Sequence, residues 1–169
     1  FKNVLKLPGD KSISHRALIF SAMASGKSKI TNLSNGIDVQ STVECLKKLG
    51  VVFQFQSSET TVTGCGFKNF KPGMEALYAG NSGTTARLLA GLLAAQNFTS
   101  EIYGDESLSL RPMDRIAQPL NELDGAVALT GKHLPMKFSA TSKLKPIKYK
   151  MPVPSAQVKS AIIICGLHL

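Results

Sequence analysis

The chain has 169 residues, of which 43% are hydrophobic and 18% are charged. This balance excludes a disordered tail and a coiled coil, and it predicts a globular protein with a core of its own. Lysine and arginine outnumber aspartate and glutamate by 20 to 11, so the net charge is +9 and an anionic partner is expected.

Neither a membrane segment nor a disulfide framework is predicted. The longest uninterrupted apolar run, residues 161–165, is far shorter than the ~20 residues that a membrane-spanning helix needs. No charged and then apolar leader opens the sequence. The cysteines Cys45, Cys65 and Cys165 form no CxxC pair, which argues against disulfides and a zinc site. We therefore expect a soluble, cytoplasmic protein without a bound metal or cofactor.

The chain begins with a predicted strand followed by a predicted helix. Residues 4–7 have strand character, and Asp10 or Ser12 can cap the helix that follows. This helix is expected to start at about Ile13 and to end at Gly26. Its predicted buried stripe consists of Ile13, Ala17, Phe20 and Ala24.

A second helix and a hairpin complete the first predicted unit. Residues 29–33 predict a strand, and Asp38 can cap a helix that Gly50 closes in the left-handed conformation. The buried face of this helix is predicted to comprise Val39, Val43 and Leu46. Residues 51–55 and 60–63 alternate around a polar turn, which is typical of a β-hairpin. The predicted order of the unit is βαβαββ.

The same order is predicted again further along the chain. Residues 74–79 and 101–103 predict strands, and residues 84–95 predict a helix between them. A second helix is expected to bury Ile116, Leu120 and Leu123. Pro112 suits its first turn, whereas Pro119 would lie inside it and predicts a kink or a late start.

The predicted units are internal repeats. A shift of 71 residues places Gly80 on Gly9 and also places Arg87 on Arg16. A further shift of 72 residues places Lys159 at the same point of a third copy. The chain therefore divides into units at about residues 1–72, 73–143 and 144–169, of which the last is only the start of a unit. Because each unit leaves apolar helical faces, we expect an α/β (α+β) fold with helices packed inside and sheets outside.

The three equivalent strand-to-helix turns are candidate anion-binding sites. They read LPGDKSISHR at residues 7–16, AGNSGTTAR at residues 79–87 and VPSAQVK at residues 153–159. Each places small or hydroxyl residues at a helix start, where free backbone N–H groups and the positive end of the helix dipole point the same way. Side chains that add charge or hydrogen bonds at these turns and at the next helix start are Lys11, Ser12, Arg16, Asn81, Thr84, Arg87, Arg111 and Gln157.

These features also have structural explanations. Asp10 or Ser12 alone is commonly a helix cap, and Gly83 alone commonly serves a turn. Four lysines of one segment are expected to solvate the surface: Lys143, Lys145, Lys148 and Lys150. The repetition of three cationic helix starts at one period favours an anion site over these explanations. A basic module that binds nucleic acid is an alternative, although the sequence has no dense basic run and no Trp.

Four ordered motifs resemble the signatures of the 5-enolpyruvylshikimate-3-phosphate synthases. They are LPGDKSISHRA at residues 7–17, GNSGTTARLL at residues 80–89, RPM at residues 111–113 and PSAQVKSA at residues 154–161. The resemblance covers essentially the whole chain. It implies an enzyme of two domains, each built from three βαβαββ units in an inside-out α/β barrel. It also implies that residues 1–169 are the amino-terminal portion and that the second domain is absent from it.

The resemblance implies substrate contacts residue by residue. Lys11 resembles a contact to both phosphoenolpyruvate and shikimate 3-phosphate. Gly83 and Arg111 resemble contacts to phosphoenolpyruvate and the inhibitor glyphosate, and Asn81 resembles the residue that shapes their pocket. The other contacts to shikimate 3-phosphate are Ser12, Arg16, Ser155, Ala156 and Gln157, the last also near phosphoenolpyruvate. Some family members have Ala at Ser82 and Ser at Ala156, so the fine shape of the pocket can differ.

The implied reaction transfers the enolpyruvyl group of phosphoenolpyruvate to the 5-hydroxyl of shikimate 3-phosphate and releases phosphate. The family's acid and base groups lie largely in the second half, so no catalytic residue is assigned here and this chain alone is expected to be inactive. The parent enzyme is expected to be a cytoplasmic monomer of aromatic amino-acid biosynthesis that binds neither nucleic acid nor membranes and needs no cofactor. The alternative within the same fold is the transferase that acts on UDP-N-acetylglucosamine.

Overall fold

The computed structural model describes residues 7–73 and 75–169, which form two β-sheets and a set of packed helices. The helices are α1 (Lys11–Met23), α2 (Ile37–Lys48), α3 (Gly83–Leu93), α4 (Glu106–Ser109), α5 (Asp114–Glu122) and α6 (Ala156–Gly166). The strands are β1 (Ser25–Thr31), β2 (Val52–Phe55), β3 (Glu59–Cys65), β4 (Leu77–Tyr78), β5 (Ser100–Tyr103), β6 (Val127–Thr130) and β7 (His133–Phe138).

The strands form one sheet from the first part of the chain and one from the second. The first sheet has the order β1-β3-β2 and is antiparallel, with Ser25 opposite Cys65 and Val52 opposite Thr63. The second has the order β4-β5-β7-β6, and only its β4–β5 pair is parallel. The chain therefore crosses from β4 through α3 to β5, so that α3 begins at the end of a strand.

The helices pack against one another and form the core, as the sequence predicts. Apart from Thr84, Thr85 and Arg87, the residues of α3 are glycine, alanine or leucine, and all of these are buried. This helix lies against α1, α2, α5 and α6. It approaches α6 closely at Gly91, where an added Cβ would lie 2.3 Å from the Ala161 carbonyl oxygen. Glycine at this position allows the two helix backbones to approach each other.

The predicted buried stripe of α1 is wrong. Ile13 is 69% exposed and Phe20 is 44% exposed. The buried residues are instead Ser14, His15, Leu18, Ile19, Ala22 and Met23, and the helix packs on β3, α2 and α3. Apolar residues occur all around this helix, so their spacing cannot select one face. The polar residues on the buried face find hydrogen-bond partners: Ser14 donates to the Asp10 carbonyl, and His15 lies 2.7 Å from Thr42.

The bounds of three predicted elements also differ from the structure. Helix α1 ends at Met23, and Gly26 lies in β1 with a positive φ of 90°. Of the predicted first strand, residues 4–6 lie outside the described residues and Leu7 is not in a strand. Met74, the start of another predicted strand, also lies outside the described residues, and the observed strand is β4.

Asp38 does not cap α2, because the helix begins after Gly36 and Asp38 lies in its first turn. The strand predicted at residues 29–33 is observed as β1, Ser25–Thr31. Other local predictions agree with the structure. The predicted inner face of α2 is buried, Gly50 follows this helix with φ 93°, and β2 pairs with β3 as a hairpin. Helix α5 starts late, at Asp114, so Pro112 precedes the helix and does not lie in its first turn, whereas Pro119 lies inside it. Cys45 and Cys165 are buried in the core. Of the helices in residues 7–73 and 75–169, none is long and apolar enough to cross a bilayer.

The close contact between α3 and α6 can be tested with two helical glycines. We expect Gly91→Ala to lower the free energy of unfolding by about 2 kcal/mol, because its methyl group must push the Ala161 backbone away. Gly166→Ala is the matched control, since nothing lies within 4 Å of an added Cβ there and alanine favours a helix. Chemical denaturation of both variants measures the difference. Equal stability of the two variants would contradict the described packing.

Candidate functional site

Three helix starts, those of α1, α3 and α6, carry the residues that the sequence singles out. Each start is capped by one side chain: Asp10 accepts from the Ile13 N–H, Ser82 from the Thr85 N–H and Ser155 from the Val158 N–H, at 2.7, 3.1 and 3.3 Å. Of the two cap candidates for α1, the structure therefore selects Asp10. Ser12 lies inside the helix and is exposed. Ser155 uses its hydroxyl for the cap.

Gln157 of α6 is held between two residues of α3. Arg87 Nη1 donates to Gln157 Oε1 at 2.9 Å, and Gln157 Nε2 donates to Thr84 Oγ1 at 3.0 Å. The two contacts fix which side of the amide faces each partner. Helix α6 thereby places the uncharged amide of Gln157 beside the guanidinium group of Arg87, although the two residues are 70 positions apart in the chain.

Two guanidinium groups lie over Gly83, in the first turn of α3. A Cβ added to this glycine would be 2.8 Å from Arg87 Nη1 and 3.5 Å from Arg111 Nη1. The missing side chain therefore lets both cations approach the backbone of the helix start. Burial lowers the pKa of Arg87, and the neighbouring charges of Arg111 and Arg115 lower it further. Guanidinium groups at the start of a helix favour a bound anion at this place.

Arg111 is oriented by a chain of hydrogen bonds that ends on a carboxylate. Its Nη2 donates to Asn81 Oδ1 at 2.7 Å, and Asn81 Nδ2 donates to Asp105 Oδ2 at 2.8 Å. The other oxygen of Asp105 accepts from the Leu108 N–H and caps α4. Donation from Asn81, followed by that from Leu108, lowers the pKa of Asp105. The sequence does not assign a role to Asp105, and here it orients the partner of Arg111.

Arg16 connects α1 to α6. Its Nη2 and Nε donate to Ser160 Oγ at 2.9 and 3.3 Å, and its Nη1 donates to the Ser12 carbonyl at 3.0 Å. Ser160 in turn donates to the Ala156 carbonyl. Sequence reasoning misses Ser160, because nothing local marks a serine inside an apolar helix as the partner of an arginine 144 residues away. Only the packing of the two helices brings them together.

Lys11 lies at the edge of this group. Its Nζ is 2.8 Å from Asp38 Oδ2 of α2, and its side chain is 55% exposed. An exposed ion pair of this kind contributes little to stability, so Lys11 can exchange its partner for another anion at small cost. The carbonyl of the same Asp38 accepts a hydrogen bond from Thr85 of α3. Lys11 is therefore anchored on the helix that also contacts the start of α3.

The structure thus brings the predicted residues into two groups joined through α6. One group comprises Gly83, Arg87, Arg111, Asn81 and Gln157, and the other comprises Arg16, Ser12, Ala156 and the newly identified Ser160. Gln157 and Ser160 are three residues apart on α6, so they lie on the same side of that helix. Within residues 7–73 and 75–169, no cluster of three His, Cys, Asp or Glu side chains could hold a metal. The arrangement offers cations and N–H groups to anions.

The chain is similar to proteins of one family over nearly its whole length. The family model described as EPSP synthase (3-phosphoshikimate 1-carboxyvinyltransferase) matches residues 1–168. A curated 3-phosphoshikimate 1-carboxyvinyltransferase of Streptococcus equi subsp. zooepidemicus is 48% identical over 166 residues, which is 97% of this chain and 39% of that protein. The protein of the same name from Vesicomyosocius okutanii is 44% identical over 97% of this chain and 38% of its own length.

A solved structure has the same fold. The EPSP synthase from Acinetobacter baumannii superposes with a TM-score of 0.93 at 42% identity, covering 96% of this chain and 38% of that one. The mixed helices and sheets described above are therefore those of the enolpyruvyl transferase fold. The chain spans about two fifths of the length of the curated relatives that it matches.

The link between Arg111, Asn81 and Asp105 can be tested by titration. We expect Asn81→Ala to raise the pKa of Asp105, because the carboxylate loses the hydrogen bond that contributes most to its lowered value. Carbon NMR of the side-chain carboxyl group against pH measures this change. Asn97→Ala, which replaces an exposed asparagine outside the contact, is the control and should leave the titration unchanged. The same pKa of Asp105 in both variants would exclude the described hydrogen bond.

Proposed function

The chain belongs to the EPSP synthase family, and on this premise we propose that it forms the amino-terminal, anion-binding part of a 3-phosphoshikimate 1-carboxyvinyltransferase. The proposed enzyme transfers the enolpyruvyl group of phosphoenolpyruvate to the 5-hydroxyl of shikimate 3-phosphate and releases phosphate. The observation that carries the proposal is the crowding of Arg87 and Arg111 over Gly83, beside Gln157. A site of this kind binds two anionic substrates better than neutral ones.

Charge explains why such a reaction needs this arrangement. Both substrates carry a phosphate group and a carboxylate, so they repel each other unless fixed cations lie between them. Arg87 and Arg111 are held in place by other residues of the protein, through Gln157 and Asn81 respectively. Prearranged charges cost no reorganisation when negative charge moves during the reaction. We propose that phosphoenolpyruvate occupies this group, with its anionic oxygens on Arg111 and the Gly83 backbone N–H.

Shikimate 3-phosphate is proposed to bind at the neighbouring group. Arg16, joined to Ser160, would receive the 3-phosphate together with Ser12, Ser155 and the start of α6 at Ala156. A helix start is suited to a phosphate, since several backbone N–H groups point at it. Lys11 would give up Asp38 and lie between the two substrates, and Gln157 would contact both. The alignment of the two substrates is then set by α6.

In the proposed reaction the 5-hydroxyl attacks C2 of phosphoenolpyruvate while a proton is delivered to C3. The hydroxyl proton is removed as its oxygen bonds to C2. The tetrahedral intermediate then expels phosphate and loses a proton from C3, which restores the double bond. Lys11, Arg16 and Arg111 would bind and orient the reactants, which lowers the barrier by proximity and by electrostatic stabilisation. We assign no general acid or base to these residues. Those groups are proposed to come from the part of the enzyme that corresponds to the remainder of the relatives, so these 169 residues alone would bind but not react.

The proposal extends to the organisation of the protein. We infer that the repeats at about residues 1–72, 73–143 and 144–169 are units of one domain, and that a second domain closes over the site. We also infer that the enzyme works in the cytoplasm as a monomer, without cofactor, nucleic acid or membrane. The transferase that acts on UDP-N-acetylglucosamine and a basic nucleic-acid-binding module are the competing functions.

Calorimetric titration with shikimate 3-phosphate tests the proposed function. We expect saturable binding that Arg16→Ala weakens at least about tenfold, because a charge-assisted contact to phosphate is lost. Lys148→Ala removes the same charge from an exposed segment and should leave the affinity unchanged. Ser160→Ala should weaken binding less than Arg16→Ala, since it frees the guanidinium without removing it.

Binding experiments with other ligands test the competing functions. Stabilisation by UDP-N-acetylglucosamine, with no response to shikimate 3-phosphate, would identify the other transferase. DNA binding that falls steeply with salt, again without a response to the small ligand, would identify a nucleic-acid-binding module. Equal losses of affinity in Arg16→Ala and Lys148→Ala would exclude the proposed phosphate contact.

A further inference from the structure

A row of buried, hydrogen-bonded side chains joins α1, α2 and α3 behind the site. His15 Nδ1 lies 2.7 Å from Thr42 Oγ1, which lies 2.8 Å from Thr85 Oγ1. Thr85 Oγ1 is 2.8 Å from Ser82 Oγ and 3.1 Å from the Asp38 carbonyl oxygen. His15, Thr42 and Thr85 are fully buried. None of them is among the proposed substrate contacts.

The Asp38 carbonyl at the end of this row determines which atom donates in each hydrogen bond. The Asp38 carbonyl oxygen can only accept, and a threonine hydroxyl has one proton to donate. Thr85 donates its one proton to the Asp38 carbonyl or to Ser82, so its oxygen must accept the proton of the Thr42 hydroxyl. Thr42 has then used its own proton and must accept from His15 Nδ1. The imidazole therefore carries its proton on Nδ1.

The other imidazole nitrogen agrees with this assignment. His15 Nε2 is buried and has no hydrogen-bond partner among the described residues. A buried lone pair without a donor is less costly than a buried N–H group without an acceptor, which again places the proton on Nδ1. Burial lowers the pKa of His15 to about 4, with Lys11 and Arg16 lowering it and the Asp38 carboxylate raising it. The ring is therefore neutral at pH 7.

The row connects the segments that carry the proposed binding residues. His15 precedes Arg16 and lies one turn after Lys11 in α1. Asp38 forms the ion pair with Lys11, and Ser82 caps α3 immediately before Gly83. A change at the imidazole would therefore shift α1 relative to the start of α3.

We propose that His15, as the neutral Nδ1–H tautomer, is a positioning residue that sets the distance between the α1 cations and the Gly83 turn of α3. The proposal rests on the proposed function for its effect on substrate binding. The tautomer itself does not depend on that function. His15 acts through Thr42 and Thr85 and does not touch the substrates.

Nitrogen NMR of the histidine side chains in the intact protein tests the tautomer. We expect Nδ1 of His15 to have the chemical shift of a protonated nitrogen and Nε2 that of an unprotonated nitrogen. Neither chemical shift should change between about pH 5.5 and about pH 8. A proton on Nε2, or titration of His15 within that range, would overturn the proposal. His133 and His168 serve as internal references.

Three substitutions of His15 test positioning. In His15→Asn the amide N–H can take the place of Nδ1–H, whereas in His15→Gln it reaches the place of Nε2, and His15→Leu has no donor. We expect the Asn variant to keep the affinity for shikimate 3-phosphate within about twofold, and the Gln and Leu variants to lose about tenfold. The proposal would be contradicted if His15→Asn lost as much affinity as His15→Gln, or if His15→Gln kept its full affinity.

Backbone amide shifts separate a failure of this proposal from a failure of the proposed function. If the unaltered protein does not bind shikimate 3-phosphate, the proposed function is wrong, and positioning is judged from the N–H signals of Gly83 and Thr84 at the start of α3. These signals should move in folded His15→Gln and remain in place in His15→Asn. Unmoved signals in both variants would show that His15 does not position the two helix starts.

Discussion

The repulsion between Arg87 and Arg111 at the start of α3 is the constraint on which the rest of the structure depends. Two guanidinium groups over one glycine, with one of them partly buried, are unfavourable unless dipoles or anions offset the charge. Gln157 and Asn81 supply dipoles, and the bound anions proposed here would supply the opposite charge. The electrostatic repulsion between the two guanidinium groups thus favours the binding of anions.

The helical core makes this arrangement rigid. Helix α3 is buried along its length and touches four other helices, so its start has little freedom to move away from the cations. Gly91 lets α6 approach closely enough for Gln157 to reach Arg87. His15, Thr42 and Thr85 are hydrogen-bonded in a row between α1, α2 and α3, which fixes the register of these helices in a way that apolar contacts alone would not.

Local sequence signals were sufficient for most helices and strands. Serine and aspartate caps, left-handed Gly50 and the alternation of the hairpin depend on neighbours in the chain, so they can be predicted without tertiary structure. The buried face of α1 could not be predicted in this way. Its apolar residues surround the helix, and His15 faces the core only because Thr42 of another helix offers a partner.

The sequence by itself determined that three similar helix starts carry cations, and the ordered motifs at those starts determined the family. Only the tertiary structure decided which side chains meet: Arg16 with Ser160, Arg87 with Gln157, and Arg111 with Asn81 and Asp105. The physical reason is how far apart in the chain the interacting residues lie. A cap or a turn is stabilised within a few residues, whereas an arginine finds its partner by helix packing across a large part of the chain.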